Sequence, residues 1–350
     1  MKILVIGNGF DLAHGLKTTY SDFLEYAGLI SSDRQGDYYN DFRWLDEGWT
    51  IFFHDRQKAL SNRWEGFESE IKRIVKVLYK AHSGETTNSI DAKISSLSTY
   101  FEGVSINESS SRVETLREKM EISLVAVIRM LEIYLAKEIN TTLISQKNKT
   151  ISDYRSDKVL SFNYTDTYER IYGIRDEEDI CYIHGQATLE HDVSEHELST
   201  FQDQGYRTAE EYKAWLNAAK CNMVLGIEEF QDVESQQNEN YCMKFKKFYQ
   251  RIFKKTGSTY KDWLRERDPI KDPELKIAFF GHSLDIMDRE VIEELVNQKD
   301  ADVTVYYHDN ESLDRYIQNM VAIIGEANVI TRVHGKNASL HFVEQDSAMI

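Results

Sequence analysis

The chain has 350 residues, 41% of them hydrophobic and 12% aromatic, which is enough for one large packed domain or two modest ones and too apolar for a disordered chain. Its formal net charge of −17 opposes polyanions over the surface as a whole, so nucleic-acid binding is disfavoured unless a local basic patch provides it. No run of about 18 apolar residues predicts a membrane span, and the three scattered cysteines (Cys181, Cys221 and Cys242) suit neither a disulfide framework nor a metal cluster, so a reducing cytoplasm is the expected setting.

The first element is a short apolar strand, Ile3–Ile6, that runs into Gly7-Asn8-Gly9-Phe10-Asp11-Leu12. Strand, glycine turn and helix in that order bring backbone N–H groups towards a phosphate in parallel α/β sheets. The third glycine of a G-x-G-x-x-G fingerprint is absent, since Leu12 stands there, and a tight turn with no ligand fits the same residues. About 150 residues then separate this strand from the next one. Trp64, Phe67, Ile71, Ile74, Val75 and Leu78 keep helical spacing, as do Val113, Leu116, Met120, Leu124, Val127, Leu131 and Leu135 along one long helix. The polar stretches 83–88 and 102–111 read as loops. A helical lobe over 31–150 is therefore expected, inserted into an α/β core formed by 1–30 and 151–350. The stripe along 113–135 suits core packing or a partner helix in a homo-oligomer.

Further short apolar strands are predicted at Val159–Phe162, Ile180–Ile183, Met223–Leu225, Ile277–Phe280 and Val303–Tyr307. Alternation with helical sequence implies a Rossmann-like, doubly wound parallel sheet. Between them, 186–240 is acidic and polar, with a loop near 231–240 that suits a solvated excursion or a lid. Segment 241–267 reverses the charge, with nine Lys or Arg against two acidic residues. Phe245, Phe248, Tyr249 and Phe253 recur at helical spacing there, so they should face the core with the lysines outside. Such a face is either solvated or an anion contact.

Ligands of open α/β sheets bind beyond the carboxyl ends of the strands. Asn163 ends the second strand, where it fits either a ribose contact or a turn. His184, before Gly185, ends the third and has the chemistry of a general base or of a structural histidine. Gly281-His282-Ser283-Leu284-Asp285 ends a later strand, with Asp288 one turn on. It resembles a nucleophile elbow, but Asp285 replaces the second glycine, so a phosphate- or ribose-binding turn capped by Ser283 is the better reading. Asp300-Ala301-Asp302 precedes a strand and reads as a solvated turn. No metal signature occurs, and no metal is predicted.

The strings Ile6 to Leu12, Gly15 to Phe23, Trp64-Glu65-Gly66-Phe67-Glu68, Ser161 to Thr165, His184-Gly185, Leu225-Gly226-Ile227 and Gly281 to Asp285 resemble the AbiH bacteriophage abortive-infection family in order along nearly the whole chain. That resemblance implies a cytoplasmic antiphage effector with a phage-derived trigger. The order of the motifs is also similar to sirtuin-like NAD-binding proteins. This more distant resemblance implies that Gly7, Asn8, Gly9, Phe10, Asp11, Tyr164, Gly185, Gly281, His282, Ser283 and Asp285 surround NAD or a related nucleotide. Asn163 would orient the nicotinamide ribose and His184 would act as base, with NAD hydrolysed as substrate. The chain departs from the sirtuin-like pattern in Phe10 and Asp11, which follow the loop where small residues are usual, and in lacking four cysteines for a zinc module, so protein deacetylation is not expected. Two other classes stay open: a nucleotide or phage sensor acting through oligomerisation of 113–135, and a metal-dependent nuclease using 241–267 with Asp11, Asp285 and Asp288. Glu65 and Glu68, one turn apart, suit a surface or capping role.

Overall fold

The computed structural model describes residues 1–32, 48–56, 64–85, 87–103, 111–189, 191, 194, 209–228, 240–346 and 348–349. The loop expected near 231–240 falls, but for residue 240, outside them. The chain divides into two compact units. The first is assembled from Met1–Thr18, Ile139–Gln186 and Lys255–Ile350, and the second from Thr19–Glu138 and Ala187–Lys254, where the sequence reading placed 31–150 alone.

The first unit holds a six-stranded sheet of β1 (Lys2–Ile6), β2 (Lys158–Ser161), β3 (Ile180–Tyr182), β4 (Leu275–Phe280), β5 (Ala301–Tyr307) and β6 (Leu340–Glu344). Every pairing is parallel and the order is β3-β2-β1-β4-β5-β6. This is the order of doubly wound nucleotide-binding sheets, with its switch point between β1 and β4. The inner strands are largely apolar because both faces of the sheet are packed. Ile3, Val5, Leu160, Ile277, Phe279, Val303 and Val305 enter one buried cluster, whereas Leu4, Ile6, Val159, Ala278 and Phe280 enter another, the two-residue alternation of a pleated sheet.

Two strand expectations need correction. Met223–Leu225 is buried but extended in the second unit without a ladder. The Gln250 amide takes the place of a neighbouring strand there: its Oε1 accepts from the Leu225 N–H at 3.1 Å and its Nε2 donates to the Leu225 carbonyl at 2.9 Å. Conversely, β6 was not foreseen. It is an edge strand whose exposure rises along Leu340–Glu344, so it lacks the apolar run that marks an inner strand. Asp300 and Asp302 lie at the amino edge of β5 and pair with Arg267 and His341.

The second unit is helical: Tyr20–Ser32, Trp49–Arg56, Trp64–His82, Asn88–Tyr100, Arg112–Tyr134, Ala209–Lys220 and Lys247–Lys254. Leu116, Met120, Leu124, Val127, Leu131 and Leu135 are all buried, so the stripe on the long helix packs within the chain. The three cysteines are free and buried. Burial pushes the Cys221 thiol up to about 12, far from a reactive thiolate. Among the described residues no helix is long and apolar enough to cross a membrane.

Candidate functional site

The carboxyl ends of β1 and β4 meet through their glycines. The Gly9 N–H donates to the Gly281 carbonyl at 2.7 Å, and the Phe10 N–H to Gly7 at 2.8 Å. A Cβ on Gly7 would stand 2.7 Å from His282 Cα, and one on Gly9 would stand 2.8 Å from Gly281 Cα. Gly281 itself has φ +66°, and a Cβ on it would come within 2.2 Å of the Phe10 nitrogen. The close backbone approach that the sequence suggests for a phosphate is made here between two turns, and the Gly9 N–H is engaged in it. Asn8 is half-buried at the head of the short helix Asn8–Ala13.

Asp11 turns inward. It is buried, and the Thr165 hydroxyl donates to its Oδ2 at 2.7 Å. Burial pushes this carboxyl up to about 7, with Thr165, Thr167 and Arg170 pulling the other way. At neutral pH much of Asp11 is therefore uncharged, and its side chain fastens the β1 turn to the β2 turn. Asn163, also buried, does likewise: its Nδ2 donates to the Gly7 carbonyl at 2.9 Å. The Ser161 hydroxyl donates to the Asn163 carbonyl at 3.1 Å and also accepts from the Asn163 N–H, which fixes the turn after β2.

His184 follows β3, where Gly185 at φ +80° closes a turn onto Tyr182. Its Nε2 lies 3.1 Å from Asp288 Oδ1, and His282 Nε2 lies 3.5 Å from the other oxygen, Oδ2. Phe162 packs between the two imidazoles, with ring centroids 4.1 Å from His282 and 5.5 Å from His184. Tyr164 tilts towards His184 at 6.1 Å. A general base paired with a half-buried carboxylate is what this grouping offers chemically. Sequence reasoning placed His184 and Asp288 separately, because they stand 104 positions apart and only the order of the strands brings them together.

The turn after β4 needs one correction. Ser283 is not the cap. Asp285 caps the 3₁₀ turn Ile286–Asp288, its carboxylate accepting from the Met287 N–H at 2.8 Å. The chain first passes through Leu284 at φ +56°, which carries it two residues beyond Ser283 before the turn starts. The strained residue is thus a fully buried leucine and not the serine of a nucleophile elbow. Asp11, Asp285 and Asp288 have different partners, and among the described residues no group of three His, Cys, Asp or Glu side chains is placed to hold a metal ion.

The basic segment also differs from its reading. Lys246 and Lys247 are 1% and 2% exposed, whereas Phe253 is 72% exposed. Lys247 pairs with Glu68 at 2.9 Å and Lys244 with Glu121 at 3.0 Å, while Lys254 donates to the Met223 carbonyl. Lys261 meets Glu294 at 3.4 Å, and Arg267 pairs with Asp300. Helical spacing showed which side chains share a face, but the acidic partners decide which face turns inward. Much of the cationic surplus is neutralised by the chain itself, which leaves less for a polyanion. Glu68 is this buried partner of Lys247, while the side chain of Glu65 lies outside the described residues.

The family profile described as bacteriophage abortive infection AbiH matches residues 3–308. Among curated proteins no match is found.

Proposed function

Because the chain belongs to the AbiH bacteriophage abortive-infection family, we propose that it acts by binding NAD or a related nucleotide at the carboxyl edge of its sheet and cleaving the bond between nicotinamide and ribose. The observation that carries this reading is the His184–Asp288 pair at 3.1 Å, beside the β1–β4 switch point where open α/β sheets bind ligands. Hydrolysis takes NAD and water to nicotinamide, ADP-ribose and a proton. The C1′–N bond breaks, a C1′–O bond forms, and the water proton passes to the imidazole of His184. The transition state resembles an oxocarbenium ion, so it gains more from fixed dipoles and a placed base than from a strong nucleophile. Asn163, held by the Gly7 carbonyl, would orient the ribose or the water.

The test is nicotinamide release from NAD by the purified protein and by His184→Ala. The expected loss in the variant is roughly 10²–10⁴-fold. Release at the wild-type rate by His184→Ala removes the mechanism. Saturable NAD binding with no release by the wild type replaces hydrolysis with sensing.

A further inference from the structure

We propose that Arg315 is an anion contact of the candidate site, where it takes a phosphate of the bound nucleotide together with the Ser283 hydroxyl; this rests on the reading of the carboxyl edge as a nucleotide site. Donors are short at this edge. In parallel α/β sheets that bind nucleotides, backbone N–H groups of the glycine turn hold the phosphate. Here the Gly7 N–H donates to the Phe280 carbonyl at 3.3 Å, Gly9 to Gly281 at 2.7 Å and Phe10 to Gly7 at 2.8 Å. The charge of a pyrophosphate has to be met by another element.

The helix Asn310–Ile324, which follows the carboxyl end of β5, is that element. It places Tyr316, Met320, Ile323 and Ile324 in the buried cluster on one face of the sheet. It also touches the turn after β4, because Asn319 Nδ2 donates to the Ser283 carbonyl at 2.9 Å. Arg315 stands four residues before Asn319, so it shares that side of the helix and lies about 6 Å nearer the carboxyl edge. Other half-buried arginines of the first unit are engaged: Arg267 with Asp300, Arg289 with Glu293 at 3.0 Å, and Arg332 with the Ala301 carbonyl at 3.0 Å. Arg315 makes no hydrogen bond or ion pair among the described residues, and its Nε is buried without an acceptor. Its guanidinium lies 5.4 Å from the centre of the Tyr316 ring. A buried N–H without an acceptor costs free energy that a bound anion recovers.

The Ser283 hydroxyl is left over in the same way. Asp285 caps the turn in its place, Asn319 holds its carbonyl, and its Oγ has no hydrogen-bond partner among the described residues. The neighbouring carboxylates have donors of their own. Asp309 accepts from the Ser312 N–H at 2.7 Å, Asp285 from the Met287 N–H at 2.8 Å and Asp314 from Gln318 at 2.6 Å. Asp309 is held below the ordinary carboxylate range chiefly by Ser312, with His308 and Arg315 adding to it, which sets the Arg315 charge near the end of β5. A guanidinium and a hydroxyl on two adjacent elements are the donors that suit a phosphate.

Calorimetry on the full chain tests this with three probes: ADP-ribose, inorganic pyrophosphate and adenosine. Arg315→Gln should weaken ADP-ribose and pyrophosphate binding roughly 10–100-fold, since a hydrogen bond to a charged group is lost. Adenosine carries no phosphate and should bind the variant and the wild type alike. Arg315→Lys keeps the charge without the planar fork and should show a smaller loss. Ser283→Ala should lose about 2–10-fold. Unchanged pyrophosphate affinity in a folded Arg315→Gln overturns the proposal, and so does an equal loss for adenosine or a wild type that binds neither phosphate probe. If Arg315→Gln does not fold, Arg315→Lys decides, and wild-type affinity there overturns the proposal. Nicotinamide release separates this from the hydrolase reading. Arg315-dependent binding of both phosphate probes without release removes the hydrolase reading alone. Release together with full ADP-ribose affinity in Arg315→Gln removes the Arg315 role alone.

Discussion

The Thr165 hydroxyl donates to Asp11 at 2.7 Å, and this bond joins two strand ends through a carboxyl that burial holds near a pKa of about 7. A folded-state value above the unfolded one means that the native protein binds the proton more tightly. The associated stability is full below the ordinary carboxylate range and is lost as pH rises through about 7. Raising this carboxyl from its ordinary range to about 7 corresponds to about 4 kcal/mol. Asp11→Asn keeps an acceptor for Thr165 and has no charge to bury. Its urea midpoint should exceed that of the wild type at pH 8, and by a smaller margin at pH 5. Parallel midpoint curves for the two proteins over this range would contradict the assignment.

Glycines at the switch point are required by backbone contact, so their loss should be felt without any ligand. Gly281→Ala combines a left-handed φ with a Cβ 2.2 Å from the Phe10 nitrogen, and the expected cost is roughly 2–6 kcal/mol. Gly15, at φ +76° with open space around it, provides the control: Gly15→Ala should cost roughly 1–2 kcal/mol. Thermal midpoints of the two variants measure the difference. Equal shifts would mean that the two turns yield to each other easily.

Replacing the carboxylate beside His184 should affect turnover more than folding. In Asp288→Asn an amide faces both imidazoles and can accept from only one of them on its oxygen. Nicotinamide release should fall roughly 10²–10⁴-fold, while NAD binding, measured by calorimetry, changes little. A loss of binding with unchanged turnover per bound NAD would place Asp288 in recognition and not in catalysis.

The buried Glu68–Lys247 pair gives a prediction independent of chemistry. Lys247→Met removes this buried cation from beside Glu68 and should cost about 3–5 kcal/mol. Glu68→Leu combined with Lys247→Met removes both members of the pair and should recover most of that loss. Urea midpoints of the singles and the double close the cycle. Additive costs would show that the pair is not coupled.

Local pattern made five of the six strands legible, since a strand covered on both faces must be apolar in sequence. Gly7, Gly9 and Gly281 were legible as close-approach residues, but what they approach is set by the order β1 beside β4, which no short window contains. The same limit hid the partner of His184 and the inward turn of Lys246 and Lys247, whose environment comes from distant parts of the chain. Met223–Leu225 failed for a different reason. Its composition is that of a strand, but a single glutamine side chain satisfies Leu225 where a ladder would. β6 failed because an edge strand needs only a half-buried face.

The central place of β1 bears on how the protein is made. Its two neighbours begin at Lys158 and Leu275, so β1 leaves the ribosome well before it is fully paired. At about 5–20 residues per second, roughly 15–55 s pass between synthesis of Lys2 and of its β4 partner Lys276. During that interval an apolar segment with unpaired backbone groups is exposed to chaperones and to other nascent chains. The helices of the second unit, whose last residue is Lys254, can form in the meantime, whereas the sheet that carries the candidate site closes only once β4 has been made.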